Sequence, residues 1–370
     1  MPTICVQDLA KELRPGRGRH ATTAILAVVA LVLRIAAPVW AAPLTPGPEL
    51  TLPAALMLMP DTPVTRSTGV WYADYALAER VYGVGDIAGM TDPRISRFVQ
   101  ALVGLRPGPE TGVSALTRGR WRQVYGYDLF QITSEIYTDG AGAPRQAFGV
   151  DVGRLDTASI AHVLAAAGYT RSAVADDRVL VRAPALSSGL PHAAMNAVAL
   201  GAHRLVAGVL PADVIATSLR LQNRSGTLGR DPGYRALAAA LGPVQGAYLA
   251  ANVPPWPFKA PPGGHQGARL HRFGRYAVAY QEPRPGRRFM EIALHYARGR
   301  DARADASTLR ARLRHESLLV YGVPWTRLTS AVSVAARGTV LVLRLRLARS
   351  TPPPVWQDAV VEGDLSILSR

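Results

Sequence analysis

The sequence predicts an α+β protein: a mainly antiparallel sheet with helices packed on one face. Three observations carry that reading. Short segments of strand-like alternation come in consecutive pairs joined by tight turns, with helical stripes between the pairs. Nothing reads as a run of strand–helix–strand units, which a parallel sheet would need. The order strand, helix, hairpin over 146–182 recurs over 287–347, which points to two related halves. The chain has 370 residues, 48% hydrophobic and 18% charged, with a mean hydropathy of +0.09. These values exclude a disordered chain, and a chain this long buries about three quarters of its unfolded surface.

The elements follow in order. Ala55–Met59 reads as a short apolar strand stopped by Pro60-Asp61-Thr62-Pro63, and Gly69–Ala73 as a second strand. Asp74 is placed to cap a helix over Tyr75–Val81. Asp92-Pro93 opens a helix carrying Ile95, Phe98, Val99 and Leu102 on one stripe, and Gly104 is expected as its left-handed cap. Gln146–Val152 is a strand. Asp156 then starts a helix with Ile160, Val163, Leu164 and Ala167 on one face. Hairpins follow at 172–182 around Asp176-Asp177 and at 197–209. Pro211 and Asp231-Pro232 open two further helices, the second presenting Tyr234, Leu237 and Leu241, and Val244–Asn252 is a strand. Beyond the proline-rich stretch come a hairpin over 276–297, a helix over about 305–315, and a hairpin across Arg337-Gly338.

The N-terminus reads as a targeting segment. Lys11, Arg14, Arg17 and Arg19 precede the uncharged run Ala21–Leu33, and Arg34 cuts that run short of a membrane span. Cleavage between Ala41 and Ala42 puts Val39 and Ala41 at −3 and −1. An uncleaved membrane anchor is the alternative. The expected organisation is a signal peptide (1–41), a spacer (42–53), an N-terminal α+β part (54–252), a Pro/Gly-rich linker or loop (253–268) and a basic C-terminal α+β part (269–370).

Charge is distributed unevenly. Forty-two basic and 26 acidic residues give +16 overall. Residues 42–268 hold 19 basic and 16 acidic groups, a net of +3, whereas 269–349 hold 17 arginines against five acids, a net of +12. Arginine supplies all but two of the basic groups, a bias that a GC-rich genome also writes. The field of the C-terminal part favours an anionic partner. Over Val340–Leu347, alternation puts Leu341, Leu343, Leu345 and Leu347 on one face and Arg344 and Arg346 on the other. On the preceding helix, Arg310 and Arg314 share a face and extend the patch if that helix packs beside the strand. Trp256 and Phe258, in the proline-rich stretch, complete the binding candidates. They read equally as exposed docking rings or as a plug folded onto the sheet.

Motifs for chemistry are missing. The single cysteine, Cys5, excludes an intramolecular disulfide and multi-cysteine metal sites. No HExxH, GxSxG, SxxK or Walker loop occurs, so no catalytic residue, metal or cofactor is expected. Asp74, Asp128 and Glu135 sit among aromatics as a paired-carboxylate candidate, read more readily as caps and surface groups. His265 and His271 flank a loop and read as solvated.

Met59-Pro60-Asp61-Thr62-Pro63, Gly126-Tyr127-Asp128-Leu129-Phe130, Asp156 with Ala167-Gly168-Tyr169, Leu228 and Asp231-Pro232 with Tyr234-Arg235-Ala236-Leu237, and Trp356 with Asp364-Leu365 together carry a resemblance. The chain resembles exported, signal-bearing bacterial proteins of unknown function from GC-rich genomes. That resemblance implies an extracytoplasmic α+β protein and brings no catalytic residue. The expected function is non-catalytic binding of an anionic envelope polymer or lipid, or of a protein partner. A hydrolase with a dispersed site is the alternative. Nucleic acid is disfavoured for an exported chain, and membrane contact is expected at most through the N-terminal segment.

Overall fold

The computed structural model describes residues 49–369 apart from 86, 88–90, 107–120, 139–146, 172–178, 182–194, 224–225, 254–257, 262–267 and 319–321. Its strands are β1 (Val70–Asp74), β2 (Ile132–Thr138), β3 (Phe148–Gly153), β4 (Thr170–Arg171), β5 (Val179–Val181), β6 (Ala197–Gly201), β7 (Arg204–Gly208), β8 (Gly246–Ala251), β9 (Phe273–Gln281), β10 (Phe289–Tyr296), β11 (Ser317–Leu318), β12 (Val323–Pro324), β13 (Thr329–Arg337) and β14 (Val340–Leu347). All but β11 and β12 join one sheet in the order β13-β14-β10-β9-β8-β1-β2-β3-β7-β6-β5-β4, and every pair in it is antiparallel. The fold is α+β.

Over five strands the sheet reads alike outward from its β1–β8 seam, and one side then continues with β5 and β4. From the β1–β8 seam, one side runs β1-β2-β3-β7-β6 and the other β8-β9-β10-β14-β13. Each side is a three-strand meander followed by a helix, α6 (Thr157–Ala166) or α9 (Gly299–His315), and then a hairpin whose second strand pairs with the meander's third. At the seam Trp71 lies opposite Tyr248, ring centroids 4.6 Å apart. Trp356 packs on Trp71 at 5.8 Å and stacks on Tyr280 at 6.5 Å. Strands β8 and β9 are direct neighbours. The Pro/Gly-rich stretch 253–268 therefore joins adjacent strands of one sheet, and the parts expected at 54–252 and 269–370 share that sheet.

The helices occupy both faces, where the sequence pattern pointed to one. The reason is that central strands bury side chains on both sides: β1, β2 and β3 have no exposed residue. One face is covered by α3 (Tyr75–Tyr82), α4 (Ile95–Leu102), α6, α9 and α11 (Val355–Val361), through residues such as Phe98, Ile160, Leu309 and Trp356. The opposite face is covered by α1 (Leu52–Leu56), α7 (Pro211–Asn223) and α8 (Pro232–Leu241), through Leu56, Val214, Leu237 and Leu241. The remaining helices are α2 (Pro63–Thr68), α5 (Trp121–Tyr125) and α10 (Trp325–Leu328).

Caps formed at three of the four aspartates expected to open helices; Asp92 instead accepts the Arg94 N–H at 2.9 Å, and α4 starts at Ile95 with no side-chain cap. Asp74 Oδ1 accepts the Leu77 N–H at 2.8 Å, Asp156 Oδ1 that of Ser159 at 3.1 Å, and Asp231 Oδ1 those of Gly233 and Tyr234 at 2.8 and 3.1 Å. Two further expectations are corrected. The strand expected at 55–59 is helix α1, because Pro53 at its start favours helix and Leu52, Ala55 and Leu56 make an i, i+3, i+4 stripe. Gly104 is not a left-handed cap. A Cβ there would lie 2.4 Å from Tyr280 Cε1, so close packing rather than backbone angle demands glycine.

Candidate functional site

The charged end of the C-terminal half is built on the β9–β10 turn. Glu282 leads into that turn as a buried carboxylate. It accepts the Tyr280 and Tyr82 hydroxyls at 2.6 and 3.0 Å and the Gly286 N–H at 2.6 Å. Gly286 takes φ +79°, the left-handed region. This anchoring fixes the exposed Arg284 and Arg287 at the mouth of the hairpin. Arg288 donates to the Arg349 carbonyl at 2.8 Å and ties the turn to the end of β14.

Register then brings guanidinium groups together around one ring. Phe289 opens β10 opposite Arg346 of β14 and Gln281 of β9. The Arg344 guanidinium lies 4.3 Å from the centroid of that ring and the Arg287 guanidinium 5.6 Å. Arg344 also donates to Gln281 Oε1 at 3.1 Å and lies 3.1 Å from Glu291 Oε1. Glu291 stands directly across from Arg344, its side chain 4% exposed. Burial pushes its carboxyl up to about 6, although Arg344 pulls the other way. Helix α8 covers the apolar part of this face and ends here, its Leu241 carbonyl accepting from Gln281 Nε2 at 2.9 Å. The row carrying Arg344 and Arg346 is left open to solvent.

The sequence candidates divide across the molecule. Arg344 and Arg346 point away from the leucine face as expected, for Leu341, Leu343 and Leu345 are fully buried on the other side. Arg310 and Arg314 lie on α9, which packs on that leucine face, so the sheet separates them from Arg344 and Arg346 and they do not extend the patch. Arg310 instead donates to the Val334 carbonyl of β13 at 2.6 Å, and Arg314 is exposed on the helix. Phe258 is no exposed docking ring. It is buried, 4.9 Å from Tyr276 and 6.2 Å from Phe273, because a ring beside the open aromatic end of β9 loses more apolar surface folded back than in solvent. Trp256, Ala41, Ala42 and the apolar run 21–33 lie outside the described residues. Among the described residues no helix is long and apolar enough to cross a membrane.

The acidic candidates are structural. Asp74 and Asp128 cap helical turns, Asp128 Oδ1 accepting the Phe130 N–H at 3.1 Å. Glu135 is paired across β2–β3 with Asp151, both 1% exposed. Tyr75 donates to Glu135 Oε2 at 2.8 Å and Tyr127 to Asp151 Oδ2 at 3.5 Å. A substrate reaches neither acid without opening the fold. His271 is half exposed, its Nδ1 2.6 Å from Asp305 Oδ1, and that hydrogen bond raises its pKa. Asp305 also accepts the Tyr296 hydroxyl at 2.9 Å. Among the described residues no nucleophile is bonded to this imidazole, and no group of three or more His, Cys, Asp or Glu is placed to hold a metal ion. His265 lies outside the described residues.

Arg287 and Phe289 escaped the sequence reading. Their signal was available in Pro283–Phe289, a short turn with three arginines leading into a strand. No family model, curated protein or solved structure matches this chain.

Proposed function

We propose that the protein is a non-catalytic binding protein that holds an anionic polymer at the guanidinium cluster around Phe289. The observation that carries this reading is the convergence of Arg287 and Arg344 on one ring, with Arg346 the cross-strand neighbour of that ring. Like charges this close repel one another, and of the three only Arg344 has an ion pair among the described residues, with Glu291. A polymer of sulfate or phosphate esters relieves that repulsion and accepts the planar donors of several arginines. The ring they surround is itself 7% exposed and offers no apolar group to enter a bilayer, which favours a polymer over a lipid surface.

The compartment belongs to the same proposal. A basic segment, an apolar run and the Ala41–Ala42 junction favour export, and outside the cytoplasm anionic envelope polymers are the abundant partners for such a field. The direct test is binding of fluorescent dextran sulfate to wild type and to an Arg287→Ala/Arg346→Ala double variant. Arg344 is kept because it neutralises a buried acid. Wild type binds at 0.1 M salt and releases the polymer toward 1 M, as the Debye length falls from about 10 Å to about 3 Å. The double variant binds at least several-fold more weakly. Equal binding by the two proteins overturns the reading, and capture on anionic vesicles but not on the polymer replaces it with a lipid-binding one.

A further inference from the structure

We propose that Glu291 gates this anion site. Ionised, it holds Arg344 in an ion pair; protonated, it releases Arg344 to the ligand, so the polymer is bound more tightly in acid. The proposal rests on the reading of the site given above. Its basis is geometric. Arg344 is shared between an inward partner, Glu291 at 3.1 Å, and the outward ring of Phe289 at 4.3 Å. Its side chain is 45% exposed, whereas that of Glu291 is 4% exposed. The arginine therefore faces solvent and ligand, while the acid that restrains it lies beneath.

Among the described residues Arg344 is the charged group paired with Glu291, and Arg346 is the next nearest across the strand. Across β9 stands Ala279, with the neutral Gln281 on the diagonal. Across β14 stands Arg344, with Val342 and Arg346 on the diagonals. On β10 itself the same-face neighbours are Phe289 and Ala293, and His295 lies a further two positions along. Helix α8 carries a single charged residue, Arg235, in its first turn, remote from the Leu241 end that meets Gln281. Burial already favours the neutral acid, which places the change near pH 6.

The sign follows directly. Arg287, Arg344, Arg346 and ionised Glu291 sum to +2 at neutral pH. Uptake of one proton makes the sum +3, and an anionic ligand in turn favours that proton. One added charge near an anionic surface is worth about a fivefold gain in affinity.

The probe is fluorescent dextran sulfate, whose sulfate esters stay ionised between pH 5 and 8, titrated at fixed ionic strength. Wild type is expected to bind about fivefold more tightly at pH 5 than at pH 7.5, with a midpoint near 6. Glu291→Gln binds at the acid level at both pH values, and Arg344→Gln binds at the weaker level at both. Arg346→Gln removes an exposed charge outside the buried pair, binds more weakly at both pH values and keeps the fivefold slope, so the test stays decisive where a variant of the pair folds poorly. A flat wild-type profile overturns the gate, as does a slope that persists in Glu291→Gln, which assigns it to histidines. Failure of wild type to bind at any pH refutes instead the function on which the gate rests.

Discussion

Replacing Arg312 with lysine tests how the C-terminal segment is held. Arg312 sits on α9 with its side chain fully buried. One terminal nitrogen donates to the Ile367 and Ser369 carbonyls at 2.9 and 2.6 Å, and the other donates to the Ala268 carbonyl at 3.1 Å. Glu316 is the nearby acid, 4.0 Å away, and burial pulls the guanidinium pKa below its ordinary value. A lysine ammonium keeps the charge but is a compact point that cannot span carbonyls from two segments. Two carbonyls left unpaired cost about 1–3 kcal/mol each. Retained desolvation of the ammonium offsets none of this, so the expected loss is about 2–6 kcal/mol. Urea unfolding measures that loss, and hydrogen exchange at the amides of 366–369 locates it. A stability within 0.5 kcal/mol of wild type, the usual scatter of a surface substitution, would refute the reasoning.

Three further outcomes are expected. Leu345→Ala removes a fully buried side chain from the leucine face and should lose about 2–5 kcal/mol in urea unfolding; an unchanged midpoint would mean that the leucines of β14 do not face the core. Asp74→Asn keeps the helix cap but removes a carboxyl that burial raises to about 6. Because that folded value lies above the unfolded one, the acid favours the fold at low pH and loses this advantage as pH rises through 6. The variant should therefore gain on wild type between pH 5 and 7.5, a gain read from the difference in urea midpoints. The proposed export predicts a mature protein that begins at Ala42 by intact mass; retention of residues 21–41 would establish the anchor instead.

Local chemistry was the legible part of this fold. Asp74, Asp156 and Asp231 cap helices with their own backbone neighbours, so short range suffices to read them. The facing of Arg344 and Arg346 followed from the period of two, whereas the hairpin that matches β13–β14 is β6–β7 rather than the expected one at 172–182, whose described strands β4 and β5 lie at the sheet's far edge. Strand β2 went unread because Thr133, Ser134, Glu135 and Thr138 make it look like surface. Their burial depends on partners such as Tyr75, 60 residues away from Glu135, and Thr68, 70 residues away from Thr138. The two covered faces were hidden for a related reason: alternation marks a side only when one side is polar. The cluster at Phe289 depends on register between two strands more than fifty residues apart, and no local pattern announces it.

Arg310 guards one edge of the sheet. Strand β13 is the last strand on its side, nine residues long and mostly exposed, and without proline or lysine. Arg337 and Val340 flank its two-residue turn, so Val332, Val334 and Ala336 direct their amide groups outward. An edge of that kind is a template on which another chain can continue the ladder. The guanidinium of Arg310 already occupies the central outward carbonyl, that of Val334, and sets a cation in the path of any incoming strand. The residue thus sets a barrier to one-dimensional growth at this edge, and its loss would leave the Val334 carbonyl open to an incoming strand.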